Sequence, residues 1–144
     1  MDAKKLVTGA VVGTVAQAIF GYLIFELLFG SFYAENMTVS ADLMREVSLF
    51  WPMVVGNLAL AVLVTLAVGW TGSNSLAGGF KVGAIIGFLV WFGVHFNMFS
   101  MMELGNVIVI IVDPFLEAVR TGITGAVIGL VLGRFFKAEP ATTG

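Results

Sequence analysis

Residues 47–70 contain no charged side chain, and three further stretches are nearly as apolar. Crossing the hydrocarbon core of a bilayer takes about 20 mainly apolar residues. The 47–70 run meets that length, as do 6–29, 80–102 and a fourth stretch within 107–136. A water-soluble domain carries about a quarter charged residues. This chain carries 11%, against 59% hydrophobic residues, with a mean hydropathy of +1.03. Such a surface excludes an ordinary cytosolic enzyme and a disordered tail. With 7 Lys and Arg against 9 Asp and Glu, the net charge of −2 leaves no basic field for nucleic acid. Cysteine is absent, which removes disulfides, thiolate metal sites and cysteine nucleophiles. The expected fold is therefore all-α: one domain over residues 1–144, a four-transmembrane-helix bundle whose first partner is the lipid bilayer.

The connections agree with four spans. Gly72-Ser73-Asn74-Ser75 and Gly78-Gly79 mark a turn between the second and third, and Leu104-Gly105-Asn106 a tighter one between the third and fourth. In the long connection 31–46, Ser40 is placed to cap a short interfacial helix over 40–46. The fourth span has two candidate starts. Beginning at Val107, it carries Arg120 to near the bilayer centre. Beginning at Pro114, with Asp113 as N-cap, it keeps Asp113, Glu117 and Arg120 in the outermost turns. The cap-and-proline signal favours the second start and makes residues 107–112 (VIVIIV) an extended or loosely helical approach.

Lys4, Lys5, Lys81, Arg134 and Lys137 fall on one side of a four-span model, while Glu35, Asp42, Glu46 and Glu103 oppose Arg45 on the other. The positive-inside rule then predicts cytoplasmic termini and a multi-pass protein of a bacterial inner membrane. The basic start followed by an apolar run imitates a signal peptide. It is too long for that and reads as a retained first span.

In lipid, helices associate through close backbone approach rather than through the hydrophobic effect. Small residues recur at intervals of four: Gly9, Gly13 and Gly21 with Gln17 between; Asn57, Ala61, Thr65 and Gly69; Gly79, Gly83 and Gly87; Gly125, Gly129 and Gly133. Each set lines one helix face and predicts a groove for a neighbour. The strings GAVVG (9–13), GAIIG (83–87) and GAVIG (125–129) recur as they do in Gly-rich membrane helices. An internal duplication of two spans is the sharper reading, and it would give both halves the same orientation, unlike inverted repeats.

At about 100° per residue, Asp113, Glu117 and Arg120 project within about 60° of one another, with Thr124 continuing that face. Glu117 and Arg120 stand i, i+3 and can pair. Charges at membrane depth face a bundle interior or a wet cavity. The expectation is a polar pocket opening outward, built from Glu26, Asn57, His95, Asn97, Asp113, Glu117 and Arg120. The alternative is an interfacial ion pair that anchors the helix end in the headgroups. His95, the only histidine, shares a face with Gly87, Trp91, Met98 and Met102. It reads first as a hydrogen-bonded packing residue, then as a proton or substrate handler, and last as a haem or chlorophyll ligand. No cofactor and no metal site is otherwise expected. No HExxH, GxSxG or phosphate-loop motif is present, so no enzyme is predicted.

The order of features resembles one known group. A Gly-rich first span ends in an aromatic stretch (Phe20-Gly21-Tyr22, then Phe29 to Tyr33), and a Met-containing polar loop follows. The third span carries Gly83, Gly87 and Trp91, and the fourth opens with Ile111-Val112-Asp113. This is similar to the small four-span bacterial membrane proteins of domain-of-unknown-function family 1761, although a tryptophan near the end of the first span is missing here. The resemblance implies a four-helix membrane protein and no particular activity. Two functions remain open: a helix-packing accessory or oligomeric subunit, associating with itself or with other membrane subunits, favoured by the many small-residue faces; and a transporter or channel-like protein for a small solute, ion or proton, favoured by the clustered charges.

Overall fold

A computed structural model describes residues 1–37 and 47–136. The proposed interfacial helix at 40–46 lies outside the described residues, as does Lys137. The described residues are helical, and four of the helices among them are long and apolar enough to cross a membrane. Among the described residues the sole extended pairing is an isolated bridge between Met37 and Gly105.

Helix α1 spans Ala3–Gly21, its first turn capped by the Asp2 side chain, which accepts from the Lys5 N–H at 2.9 Å. At Gly21 the helix widens into π-helical turns over Tyr22–Leu28 and closes with a Phe29 N–H to Ile24 C=O bond of 2.9 Å. Such wide turns are rare and concentrate at functional positions. The chain then continues into a short helix α2, Gly30–Asn36.

Helix α3 spans Phe50–Trp70. Pro52 falls in its first turn, where a missing N–H has no intrahelical partner to lose. Gly72, at φ +63°, makes the left-handed turn into α4, Leu76–Met101, which the Ser75 side chain caps by accepting from the Gly78 N–H. Gly105, at φ +105°, makes the next turn into α5, Val107–Phe135.

The fourth span begins at Val107 rather than Pro114. Asp113-Pro114 is a sound local start signal, but Asn106 caps earlier: its side chain accepts from the Ile108 N–H at 3.0 Å. Its own N–H donates to the Asn36 carbonyl at 2.9 Å, so α2 helps to hold the cap. Residues 107–112 are ordinary α-helix, and Pro114 lies inside it. Membrane helices tolerate such prolines because neighbouring helices enclose the freed backbone group. Arg120 therefore stands near the middle of the 29-residue helix and not in its outermost turns.

Helix α5 is the axis of the bundle, touching α1, α2, α3 and α4. Its glycine face is sealed by α4. A methyl group at Gly79 would overlap the Gly125 carbonyl, one at Gly83 the Thr121 carbonyl, and one at Gly87 the Glu117 carbonyl. In the reverse direction Gly125, Gly129 and Gly133 face the carbonyls of Gly79, Ser75 and Asn74. On α1, Gly9 faces Thr65, Gly13 faces Ile128 and Ala61 of α5 and α3, and Gly21 faces Arg120. The predicted glycine grooves of α1, α4 and α5 are thus occupied within the chain, whereas Asn57 of the α3 set borders open space. The opposite face of α1 carries Val7, Val11, Val15 and Ile19, all exposed at helical spacing as a lipid-facing stripe should be. Toward the end of the bundle that carries both termini, Val64, Val68, Ile128 and Leu132 form a closed apolar cluster. Buried Thr65 returns its hydroxyl to the Ala61 carbonyl, and Thr124 does the same to Arg120. Those polar atoms therefore need no other partner.

Candidate functional site

The polar residues of α5 meet partners from three other elements between the middle of the bundle and the end opposite that apolar cluster. Asp113, almost fully buried, accepts a hydrogen bond from the Tyr33 hydroxyl of α2. Its other oxygen lies 3.3 Å from Nδ1 of His95, close but without an aligned hydrogen bond. One turn further along, Glu117 Oε2 takes both Nε and Nη2 of Arg120 at 2.9 Å. Both side chains are about nine-tenths buried. The Arg120 guanidinium also sits 5.4 Å from the centre of the Phe25 ring, on the π-helical turns. It passes α1 at Gly21, where a Cβ would stand 3.0 Å from Nη1. The glycine, the wide turns and the aromatic ring together make the berth in which this cation lies. Below it, fully buried Gln17 donates to Thr121 Oγ1 at 3.4 Å.

Two cavities flank the ion pair. The larger, of about 550 Å³, lies between α3 and α4 with α5 as its floor, lined by Met53, Gly56, Asn57, Leu60, Leu63, Val90, Trp91, Glu117 and Arg120. The smaller, of about 280 Å³, lies between α1 and α3, lined by Gln17, Gly21, Phe25, Glu26, Asn57 and Arg120 among others. Arg120, Asn57 and Met53 border both. Among the described residues, the buried side-chain atoms left without a partner are Gln17 Oε1, Trp91 Nε1 and His95 Nδ1. All three belong to this region, and native interiors rarely leave such atoms unsatisfied.

Of the residues expected to form a polar pocket, His95, Asp113, Glu117 and Arg120 come together. Asn57 joins them as a cavity wall, and Glu26 is exposed on the far side of Arg120. Asn97 does not join: its exposed amide donates to the Gly93 carbonyl of its own helix at 2.8 Å. Tyr33, Gln17 and Phe25 were not read as site residues. Gln17 carried a signal, since it interrupts a run of glycines at the same spacing. Tyr33 carried none, because only the π-helical turns and the fold-back of α2 bring it to Asp113. Burial, and then the hydrogen bond to Asp113, push the Tyr33 hydroxyl well above its ordinary pKa, so it remains a neutral donor.

Tyr33→Phe is expected to cost about 1–3 kcal/mol, the range for leaving a buried acceptor without its donor. Hydrogen exchange checks it: protection should fall over α2 and stay unchanged along the α4–α5 seam.

Among the described residues no three His, Cys, Asp or Glu side chains converge as a metal-binding group. The family likeness noted above rests on its quoted residues alone: comparison of the chain with protein-family models, with curated proteins and with solved structures finds no match.

Proposed function

We propose that this chain handles a small cation or proton at a membrane-embedded site centred on Glu117, opening outward from a bacterial cytoplasmic membrane with both termini inside. The observation that carries the reading is the buried Glu117–Arg120 pair bordering the 550 Å³ cavity. An ion pair at membrane depth is costly and marks substrate or ion pathways more often than it serves stability. Supporting it, the polar side chains Asp113, Glu117, Thr121, Gln17 and Thr124 form a column inside the bundle, stopped at one end by Val64, Val68, Ile128 and Leu132. That is the arrangement of a site open to one side and closed to the other. The cation bias of the termini and of Lys81 supports the outward direction.

Reconstituted vesicles test it. Loaded with a pH-sensitive dye and polarised inside-negative, those holding the wild-type chain should acidify several-fold faster than protein-free vesicles, and Glu117→Gln should return them to the protein-free rate. Equal rates for wild-type and protein-free vesicles, with this dye and with sodium- and potassium-sensitive dyes in its place, would overturn the reading.

A role as an accessory or oligomeric subunit of a membrane assembly is the second reading. The glycine grooves no longer favour it, because they are filled within the chain. What does favour it is the outer face of α4, where the exposed Phe92 and Phe96 rings lie 4.5 Å apart and a Cβ added at Gly93 would meet nothing within 4 Å. Native mass in mild detergent separates the two, since a strict monomer would remove the subunit reading.

A further inference from the structure

Helix α3 has fully buried residues only in its second half: Ala61, Val64, Thr65 and Val68. Its first half stands over the two cavities, which share Met53, Asn57 and Arg120 and therefore adjoin at those residues. Hydrogen-bond donors stand open at that junction. Arg120 turns Nε and Nη2 to Glu117, and among the described residues its Nη1 has no acceptor. The Asn57 side-chain amide likewise has no partner among them. Both residues are partly buried, yet neither contributes to the enclosed unpartnered atoms, which are Gln17 Oε1, Trp91 Nε1 and His95 Nδ1. An unpartnered atom that is not enclosed faces open space, and the open space beside these two residues is the cleft under α3. This demand for an acceptor is independent of which neighbouring acids carry protons. Guanidinium keeps its N–H donors throughout the range of protein chemistry, and a carboxamide is uncharged.

Depth and surroundings narrow what can meet the demand. Arg120 lies near the middle of α5, and Val90 and Trp91 lie past the middle of α4. The cavity between α3 and α4 is rimmed by Met53, Leu63 and Val90, all exposed, so it opens sideways into hydrocarbon. Acyl chains offer no acceptor there, and an open polar group left without one is costly. The occupant therefore brings its own oxygen. A ligand arriving sideways crosses the bilayer core, where a charge is expensive, so an uncharged molecule is favoured. The cavity wall includes an indole, Trp91, and a thioether, Met53, both of which pack well against planar rings. Its volume of about 550 Å³ lies within the ordinary range for small-molecule sites.

We propose that the cleft under the first half of α3 binds an uncharged, lipid-soluble carbonyl compound with a planar ring, of the quinone class. Its oxygens accept from Asn57 and Arg120 at the junction, and its ring occupies the cavity between α3 and α4. The proposal goes beyond the reading of Glu117 as an ion-handling carboxylate and does not rest on it.

The test uses the full chain in non-ionic detergent with Trp51→Phe and Trp70→Phe, which leaves Trp91 as the single indole. Both replaced residues are exposed at the ends of α3. The probe is decyl-trimethylbenzoquinone, whose ring quenches indole fluorescence on contact, and decylbenzene is its counterpart without oxygens. Quenching should saturate at one probe per chain, and a tenfold excess of decylbenzene should not reverse it. Asn57→Leu should weaken binding at least tenfold while the melting temperature holds, because the amide has no bond to lose. Gly56→Leu places a side chain on the cavity wall where a Cβ meets nothing within 4 Å, and it should remove the plateau without unfolding the chain. Quenching that rises with no plateau would show partition into the micelle alone and would overturn the proposal. Reversal by decylbenzene, or undiminished affinity in Asn57→Leu, would overturn it equally. No ion gradient enters this measurement, so its failure leaves the vesicle acidification result standing, and failure of acidification leaves quinone binding standing.

Discussion

Arg120→Met is expected to lower the stability of the folded chain by about 3–5 kcal/mol, the range found when one member of a buried ion pair is removed. The cost arises because Glu117, only 6% exposed, keeps its desolvation penalty and loses the guanidinium that offset it. The same physics predicts a rescue. Removing both charges, as Glu117→Leu with Arg120→Met, should restore most of the loss, because apolar pairs of similar volume replace buried ion pairs at little or no cost. The double-mutant cycle, read from unfolding in mixed micelles, should show a coupling of at least 1 kcal/mol, within the range of about 0.5–3 kcal/mol for contacting residues. Additive effects would mean that the pair is solvated and not part of a buried site. A rescued but inactive double variant would separate the two roles of the pair, since it would be kept for function at the expense of stability.

The second large effect lies in the α4–α5 seam. Gly83→Ala should cost several kcal/mol, more than the 0.5–3 kcal/mol typical of single substitutions. The added methyl would meet the Thr121 carbonyl and the Gly122 backbone, and backbone cannot swing aside as a flexible side chain can. Gly93→Ala, on the same helix but with open space around it, is the matched control. There alanine should be neutral or stabilising by up to about 1 kcal/mol, from helix propensity alone. Thermal unfolding of the two variants in one detergent checks the difference. Similar melting temperatures would mean that α4 and α5 do not approach as closely as their glycines allow.

Much of this was legible in the residues. The spans follow from uncharged length, and the glycine faces from spacing by four. The convergence of Asp113, Glu117 and Arg120 on one face follows from helical geometry. Which groove receives which helix was not legible, since a small-residue face is equally suited to a neighbour in the same chain and to one in another. The start of α5 was misread for a different reason: Asp113-Pro114 is a valid start signal in isolation, and only the contact of Asn106 with α2 settles the earlier cap. Tyr33 escaped because widened turns leave no period in the sequence to follow. Glu26 and Asn97 lie on different helices and are both exposed, the first at the edge of the smaller cavity and the second bonded to its own helix.

Pro114 has a mechanical consequence. Having no N–H, it leaves the Ile110 carbonyl without its usual rung, and a helix lacking a rung is softest there. Asp113 rides on the segment before that soft point, strapped to Tyr33, and Glu117 rides on the segment after it, locked to Arg120 and to the glycine seam. A flexure at Pro114 would change the spacing between the two carboxylates. The two carboxylates are thus held by different partners on either side of the missing rung, Asp113 by α2 and Glu117 by Arg120 of its own helix.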